Sequence, residues 1–285
     1  MIRPLSVGTG LSNTEEAYPF PSVLFDQGRK VGATVGYAHF NGGLHNTLLM
    51  DLAIGRIDFI EVFQFGVLKS EQWYELLNAG FQVTGVAGSD FPVPLGNSKQ
   101  WPHWIPLLGP ERTLVKAGAG GSPYDAWSAG VRSGNVVLSN GPLLEMQVDR
   151  NTRTVTASAS FFRPLEKLEI VSNGAVVAAV PGDGKRMKLT ASTRLDNAES
   201  CWAAARVMAR KNQGEPDIQA HTNPVYLMSG GKPVRARAAR ESLVKQWEEQ
   251  LAWYRSTAMV FRDEAQRRDF FDRAERTLIE LRRAD

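Results

Sequence analysis

Three side chains in the sequence have the chemical types and the placement of metal ligands. His39 follows an apolar run, Val31 to Ala38, in "VGATVGYAHFNGG", where hydrophobic residues give way to Asn and Gly. Asp90 ends another such run in "VTGVAGSDFP", and Glu61 lies near the end of a third, "IDFIEVF". Groups at the carboxyl ends of parallel strands gather on one face of an α/β sheet, which is where ligands bind. A neutral imidazole with carboxylates suits zinc, manganese or iron. Each residue also has a plain structural role open to it. A histidine after a strand can be a hydrogen-bonded cap, and Ser-Asp before Phe-Pro can be an Asx turn. His45 and His103 fall in loops, the latter in "WPHWIP", an aromatic segment placed to cover a pocket. His221, in "AHTNPVY", falls in a β-rich region and is expected to be structural. The sequence contains neither a Gly-x-Ser-x-Gly elbow nor a phosphate-binding loop.

The elements that would position these groups come in three textures. Up to about residue 140, short apolar runs alternate with helical patterns. "ATVGYAH", "IDFIEVF", "VTGVAGSD" and "RTLVKA" read as strands, "NTLLMDLAIG", "SEQWYELLNAG" and "SPYDAWSAGVRSG" as helices. Ser70 and Ser122 are placed to cap, Asp125 completes a capping-box pattern, and Gly80 sits where a left-handed C-cap belongs. Such alternation predicts parallel βαβ units over 1–140. Residues 141–235 change to short alternating runs punctuated by turns, with a strong hairpin signal at Asn173-Gly174. This predicts an antiparallel β-sandwich. From 236 to 285, Leu243, Trp247, Leu251 and Tyr254, then Phe270, Ala274, Leu278 and Leu281, recur at helical spacing. That predicts a C-terminal helical hairpin whose apolar stripes face a core.

Composition narrows the function classes. A hydrophobic share of 43% against 22% charged residues is that of an ordinary globular chain, and no apolar run reaches the length of a bilayer span. A membrane partner is therefore not expected. The single cysteine, Cys201, excludes an internal disulfide and fits a reducing compartment. The opening "MIRPLSVGTG" lacks the apolar core of a signal peptide, so a cytoplasmic location is expected. From Lys232 onward 13 Lys and Arg stand against 10 Asp and Glu, which accounts for the whole net charge of +3. These charges are interleaved as on a solvated helix face, unlike the one-signed patch that nucleic acid requires.

Taken in order, "VGYAHFNGG", "IDFIEVF", "WYELLNAGFQVTGVAGSDFP", "GPERTLVKA", "YDAWSAGVRSGNVVLSNGPLLEMQVD" and "AHTNPVYLMSGGKPV" resemble the carboxyl-terminal portion of CehA/McbA-type PHP-domain metallohydrolases. The resemblance implies a distorted βα barrel with a divalent-metal centre, followed by a β-sandwich. His39 and Asp90 match the family's strand-end ligands, with Glu61 as a third ligand or a neighbour. It further implies hydrolysis of an ester, carbamate or phosphoester bond in a small-molecule or peptide substrate by metal-activated water. Arg112 would orient an anionic or carbonyl substrate, with His103 as a further substrate contact.

Two departures bear on transfer of that function. No two histidines here are separated by one residue, so the family's His-x-His pair is absent, and Pro92 stands where a histidine usually follows the late aspartate. A parallel barrel also needs about eight βα units, and roughly four or five strands precede the sandwich. The expectation is a partial barrel with an incomplete metal site that this chain alone does not necessarily retain. The chain would be a fragment, a late-start gene product, a degenerate relative, or one of two polypeptides that complete the barrel, with homo-oligomers or a complementing chain as partners. The alternative expectation is a non-catalytic protein that binds through its β-sandwich.

Overall fold

The computed structural model describes residues 21–40, 47–90, 108–116, 122–196, 199–256, 261 and 263–283. The chain divides into two compact units that cut across the three consecutive segments expected. One is drawn from within Met1–Gly36, Gly43–Ile57 and Ala236–Asp285, the other from within Tyr37–Gly42 and Asp58–Arg235.

The first unit is helical. Its elements are α1 (Pro21–Lys30), α2 (Leu48–Ala53), α5 (Arg237–Ser256) and α6 (Glu264–Arg282). The apolar stripe of α5 is buried at Leu243, Trp247, Leu251 and Tyr254, and that of α6 at Phe270, Ala274 and Leu281. The indole of Trp247 donates to the carbonyl of Ala274 at 2.9 Å, and Tyr254 meets Phe270 edge-on with ring centres 5.0 Å apart. Asp263 begins α6 by accepting the Gln266 N–H at 2.8 Å, the bond expected of an N-cap carboxylate. The expected hairpin is present, and it shares its unit with the two N-terminal helices.

The second unit holds β1 (Gly36–Tyr37, at its boundary), β2 (Phe59–Gln64), β3 (Val67–Leu68), α3 (Ser70–Asn78) and β4 (Thr84–Ala87). Then come β5 (Arg112–Val115), α4 (Pro123–Ser133), β6 (Val136–Ser139), β7 (Leu143–Asp149) and β8 (Thr154–Ser160). It ends with β9 (Leu165–Ser172), β10 (Ala175–Pro181), β11 (Lys188–Arg194), β12 (Cys201–Ala209), β13 (Ile218–Thr222) and β14 (Val225–Leu227). Strand β2 pairs with β1, β3 and β4, and its pairing with β4 across α3 is parallel. A seven-stranded sheet runs β10-β9-β12-β13-β6-β5 with β14 also on β12, and a three-stranded sheet runs β11-β8-β7. Leu168, Ile170, Ala203 and Ala205 of the larger sheet share a buried core with Val155, Ala157, Leu189 and Ala191 of the smaller. This is the expected sandwich. Its β9–β10 hairpin turns on Asn173 and Gly174, both with positive φ (49° and 88°), the requirement of a type I′ turn.

The expected half barrel is not shown among the described residues. One βαβ unit is present, β2–α3–β4. Strands β5 and β6, although separated by α4, pair antiparallel and extend the sandwich's larger sheet. Strand-helix alternation therefore misled at α4, because a helix can also link antiparallel neighbours. Capping differs in detail as well. Lys69 occupies the N-cap of α3, and Ser122, at the N-cap of α4, makes no side-chain cap bond. Gly80 does adopt the positive φ expected of it, at 100°. Among the described residues no helix is long and apolar enough to cross a membrane.

Buried polar side chains join the βαβ unit to the sandwich. Asn223, 4% exposed, accepts the Gly85 N–H at 2.8 Å and donates to the carbonyls of Gly85 (2.9 Å) and Val136 (3.1 Å). Thr113 Oγ1 accepts from Ala87 N at 2.8 Å and donates back to Ala87 O at 2.9 Å. His221, fully buried, confirms the structural role expected. Its Nδ1–H donates to Thr222 O (2.6 Å), which leaves Nε2 to accept the Tyr74 hydroxyl (2.5 Å).

Two expected outcomes follow from these contacts. Asn223→Leu strands the Gly85 amide groups and should cost about 2–4 kcal/mol, read as a lowered urea midpoint. Burial holds the neutral form of His221 and lowers its pKa to about 4, whereas an unfolded histidine titrates near 6.5. The unfolded chain then binds the extra proton between these values, so this contribution to stability is complete above about 6.5 and is lost as pH falls towards about 4. Urea midpoints at pH 7 and 4.5 should differ less in His221→Gln, which has nothing to titrate there, than in the wild type.

Candidate functional site

The fold brings His39, Glu61 and Asp90 together within the second unit. Glu61 is the third residue of β2 and stands opposite Val86 of β4, so it is inside a strand and not at its end. The register of the β2–β4 pair slips between Glu61 and Phe63. Such a bulge resets the alternation of side chains, and Glu61 and Gln64 consequently both reach His39. The His39 N–H donates to Glu61 Oε2 at 2.9 Å, and the Phe40 N–H to the Glu61 carbonyl at 3.0 Å. His39 Nδ1 lies 3.1 Å from Gln64 Oε1, 3.7 Å from Glu61 Oε2 and 4.0 Å from Asp90 Oδ2. With the amide oxygen as acceptor, Nδ1 carries the proton.

His39 and Asp90 both adopt left-handed backbone, with φ of 59° and 54°. Non-glycine residues held there cost on the order of 1 kcal/mol or more each, and such residues cluster at functional sites. Gly88, two residues before Asp90, has a different reason for being glycine. A Cβ at that position would lie 2.2 Å from Glu61 Oε1, so the carboxylate occupies the space a side chain would take.

Burial raises the pKa of Glu61, and the charge of nearby Asp90 adds to the rise, against the opposing pull of the His39 N–H and imidazole. Glu111, the residue just before β5, is 4% exposed; burial raises its pKa too, and repulsion from Glu61 contributes. Its Oε1 accepts the Gly66 N–H at 2.8 Å, while Oε2 has no hydrogen-bond partner. Gln64 Nε2 is likewise buried without a partner.

One imidazole and two carboxylates brought together are of the chemical types that could hold a divalent metal. Two donors about 2.1 Å from a tetrahedral ion stand about 3.4 Å apart. The observed separations of 3.7 and 4.0 Å exceed that by a few tenths of an ångström. Closing those two gaps would bring the His39 ring to both carboxylates at such a spacing; among the described residues no group of three His, Cys, Asp or Glu side chains is arranged to hold a metal ion. Binding through Nδ1 would require the tautomer protonated on Nε2 in place of the Nδ1–H···Gln64 bond, on a side chain that is 47% exposed.

Arg112 is exposed on β5 and stays outside this cluster; its neighbour Glu111 supplies the buried group. His103 lies outside the described residues, as does His45. The sequence reading missed Glu111, Gln64 and Gly88. A strand-parity argument starting from exposed Arg112 would have pointed Glu111 inward, whereas the bulge that aims Gln64 leaves no mark in composition.

No protein-family model, no curated protein and no solved structure matches the chain.

Gly88→Ala offers a direct check on the geometry. Its new methyl meets only the far end of a side chain, so stability should change by less than about 1 kcal/mol. The Glu61 carboxylate must move, and a crystal structure or the His39 amide NMR shift should report a lengthened His39 N–H···Glu61 bond.

Proposed function

We propose that this chain carries a divalent-metal site of a PHP-type hydrolase, related to the CehA/McbA branch, that cleaves an ester, carbamate or phosphoester bond. The observation that carries the proposal is the convergence of His39, Glu61 and Asp90, which are 22 to 51 residues apart in pairs that need not have met. Strained backbone at two of the three supports it. A bound zinc, manganese or iron ion would polarise the scissile bond and make hydroxide available near neutral pH. The chain's own groups do the rest. Glu61 anchors the His39 backbone, Gln64 fixes the ring, and Gly88 leaves room for the Glu61 carboxylate. A tetrahedral ion with three protein donors keeps a fourth position for water or substrate, or for a ligand from a second copy or a complementing chain.

A second reading has its own observation. A groove of about 640 Å³ runs along β5, β7 and β11, lined by Lys116, Leu143, Met146, Lys188 and Leu189 among others, and includes none of the cluster residues. It would serve a binding module built on the sandwich.

Equilibrium dialysis of the whole chain against Zn²⁺ or Mn²⁺ separates the two readings. A metal centre predicts saturable binding that weakens at least ten-fold in His39→Ala. Affinity should also climb as pH rises through the elevated pKa of Glu61, since a proton competes for that carboxylate below it. Absence of binding, or equal binding by His39→Ala, would falsify the metal reading.

A further inference from the structure

Outside the three expected ligands, the residue with the clearest unmet chemistry is Glu111. It is 4% exposed, one carboxylate oxygen is held by the Gly66 N–H at 2.8 Å, and the other has no hydrogen-bond partner. The Gly66 amide it holds lies two residues past the end of β2, whose last residue, Gln64, accepts from the His39 ring, so Glu111 stands at the same end of that strand as the cluster. A buried carboxylate needs a proton or a counter-charge. The adjacent Arg112 offsets part of that charge, but from a side chain exposed on the strand that follows, and burial still raises the Glu111 pKa. Gln64 Nε2, also buried and unpartnered, marks the same end of β2, two residues before the Gly66 amide that binds Glu111.

We propose that Glu111 is a further oxygen ligand of the centre, its Oε2 binding the divalent cation held by His39, Glu61 and Asp90. This rests on the metal reading above. It makes the donor set one imidazole and three carboxylates, with the fourth donor brought from the sandwich's larger sheet through β5. Glu111 would then hold the cation and, through Oε1, the Gly66 turn at once.

The test measures Mn²⁺ and, separately, Zn²⁺ affinity of the whole chain by equilibrium dialysis, with circular dichroism to verify the fold. Glu111→Gln keeps an acceptor for the Gly66 N–H but weakens metal donation, and should bind at least ten-fold more weakly than wild type. Wild-type affinity in Glu111→Gln overturns the proposal and assigns Glu111 to holding the turn, while the His39 reading stands. No binding by the wild type overturns both. If Glu111→Gln does not fold, Glu111→Asp decides: its carboxylate is drawn back by one methylene, so affinity should again fall at least ten-fold, and undiminished affinity overturns the proposal.

Discussion

The outer edge of β4 is closed by side chains. A strand bonded to a neighbour on one edge, as β4 is to β2, presents unpaired N–H and C=O groups on the other at alternate residues. Asn223 meets those of Gly85 and Thr113 those of Ala87, two residues apart on the strand. The two side chains take the place of a paired strand, and they come from the sandwich's larger sheet or the turn that follows it. Asn223 also reaches Val136 of β6, so the same amide fixes β4 against that sheet. Gly85 has to be glycine for this approach to close. A Cβ there would lie 2.7 Å from the ring of Trp73. Register across this junction decides where Asp90, three residues beyond β4, stands relative to Glu111, just before β5.

The site inherits its geometry from that junction and from the bulge in β2. The bulge turns Glu61 and Gln64 towards one histidine, and His39 and Asp90 are held in left-handed backbone at some energetic cost. The His39 N–H···Glu61 and Phe40 N–H···Glu61 bonds offset part of it by tying the residues after β1 to β2 at two points. Strain at this location is compatible with the rest of the fold because the surrounding pairings over-determine the backbone.

Local chemistry was legible in the sequence wherever it is decided by a few residues. Asn173-Gly174 needed left-handed backbone at both positions and announced its hairpin. The stripes of α5 and α6 named their own buried faces, and His39, Glu61 and Asp90 were picked out by type and by their place after apolar runs. What was hidden depends on pairing between distant segments. Nothing local tells β5 to pair antiparallel with β6 across α4, because the choice lies with Thr113 and Asn223 meeting β4. Glu111 carried no signal of its own, and strand parity points it inward only once Arg112 is seen to be exposed. The division into two units was hidden for the same reason. Helices from both ends of the chain associate, with Arg273 of α6 paired to Asp26 of α1, and no periodicity names such partners.

The cluster is also where the unit gives up stability. Glu61 and Glu111 are both buried, and the charge of Asp90 raises the charging cost of Glu61 as that of Glu61 raises the cost of Glu111. At neutral pH the chain must either retain protons on these groups or bear their repulsion, and both disfavour the folded state relative to an exposed, fully hydrated pair. A cation that binds only the folded arrangement returns that loss in proportion to the logarithm of its concentration over its dissociation constant. On the proposed reading, the same desolvation that destabilises the carboxylates is what gives them their affinity, since water and hydrogen-bond donors are scarce competitors for Glu111 Oε2. The rigid junction at β4 then matters a second time. It prevents the carboxylates from relaxing apart into solvent, and so keeps their repulsion available for a bound ion to relieve.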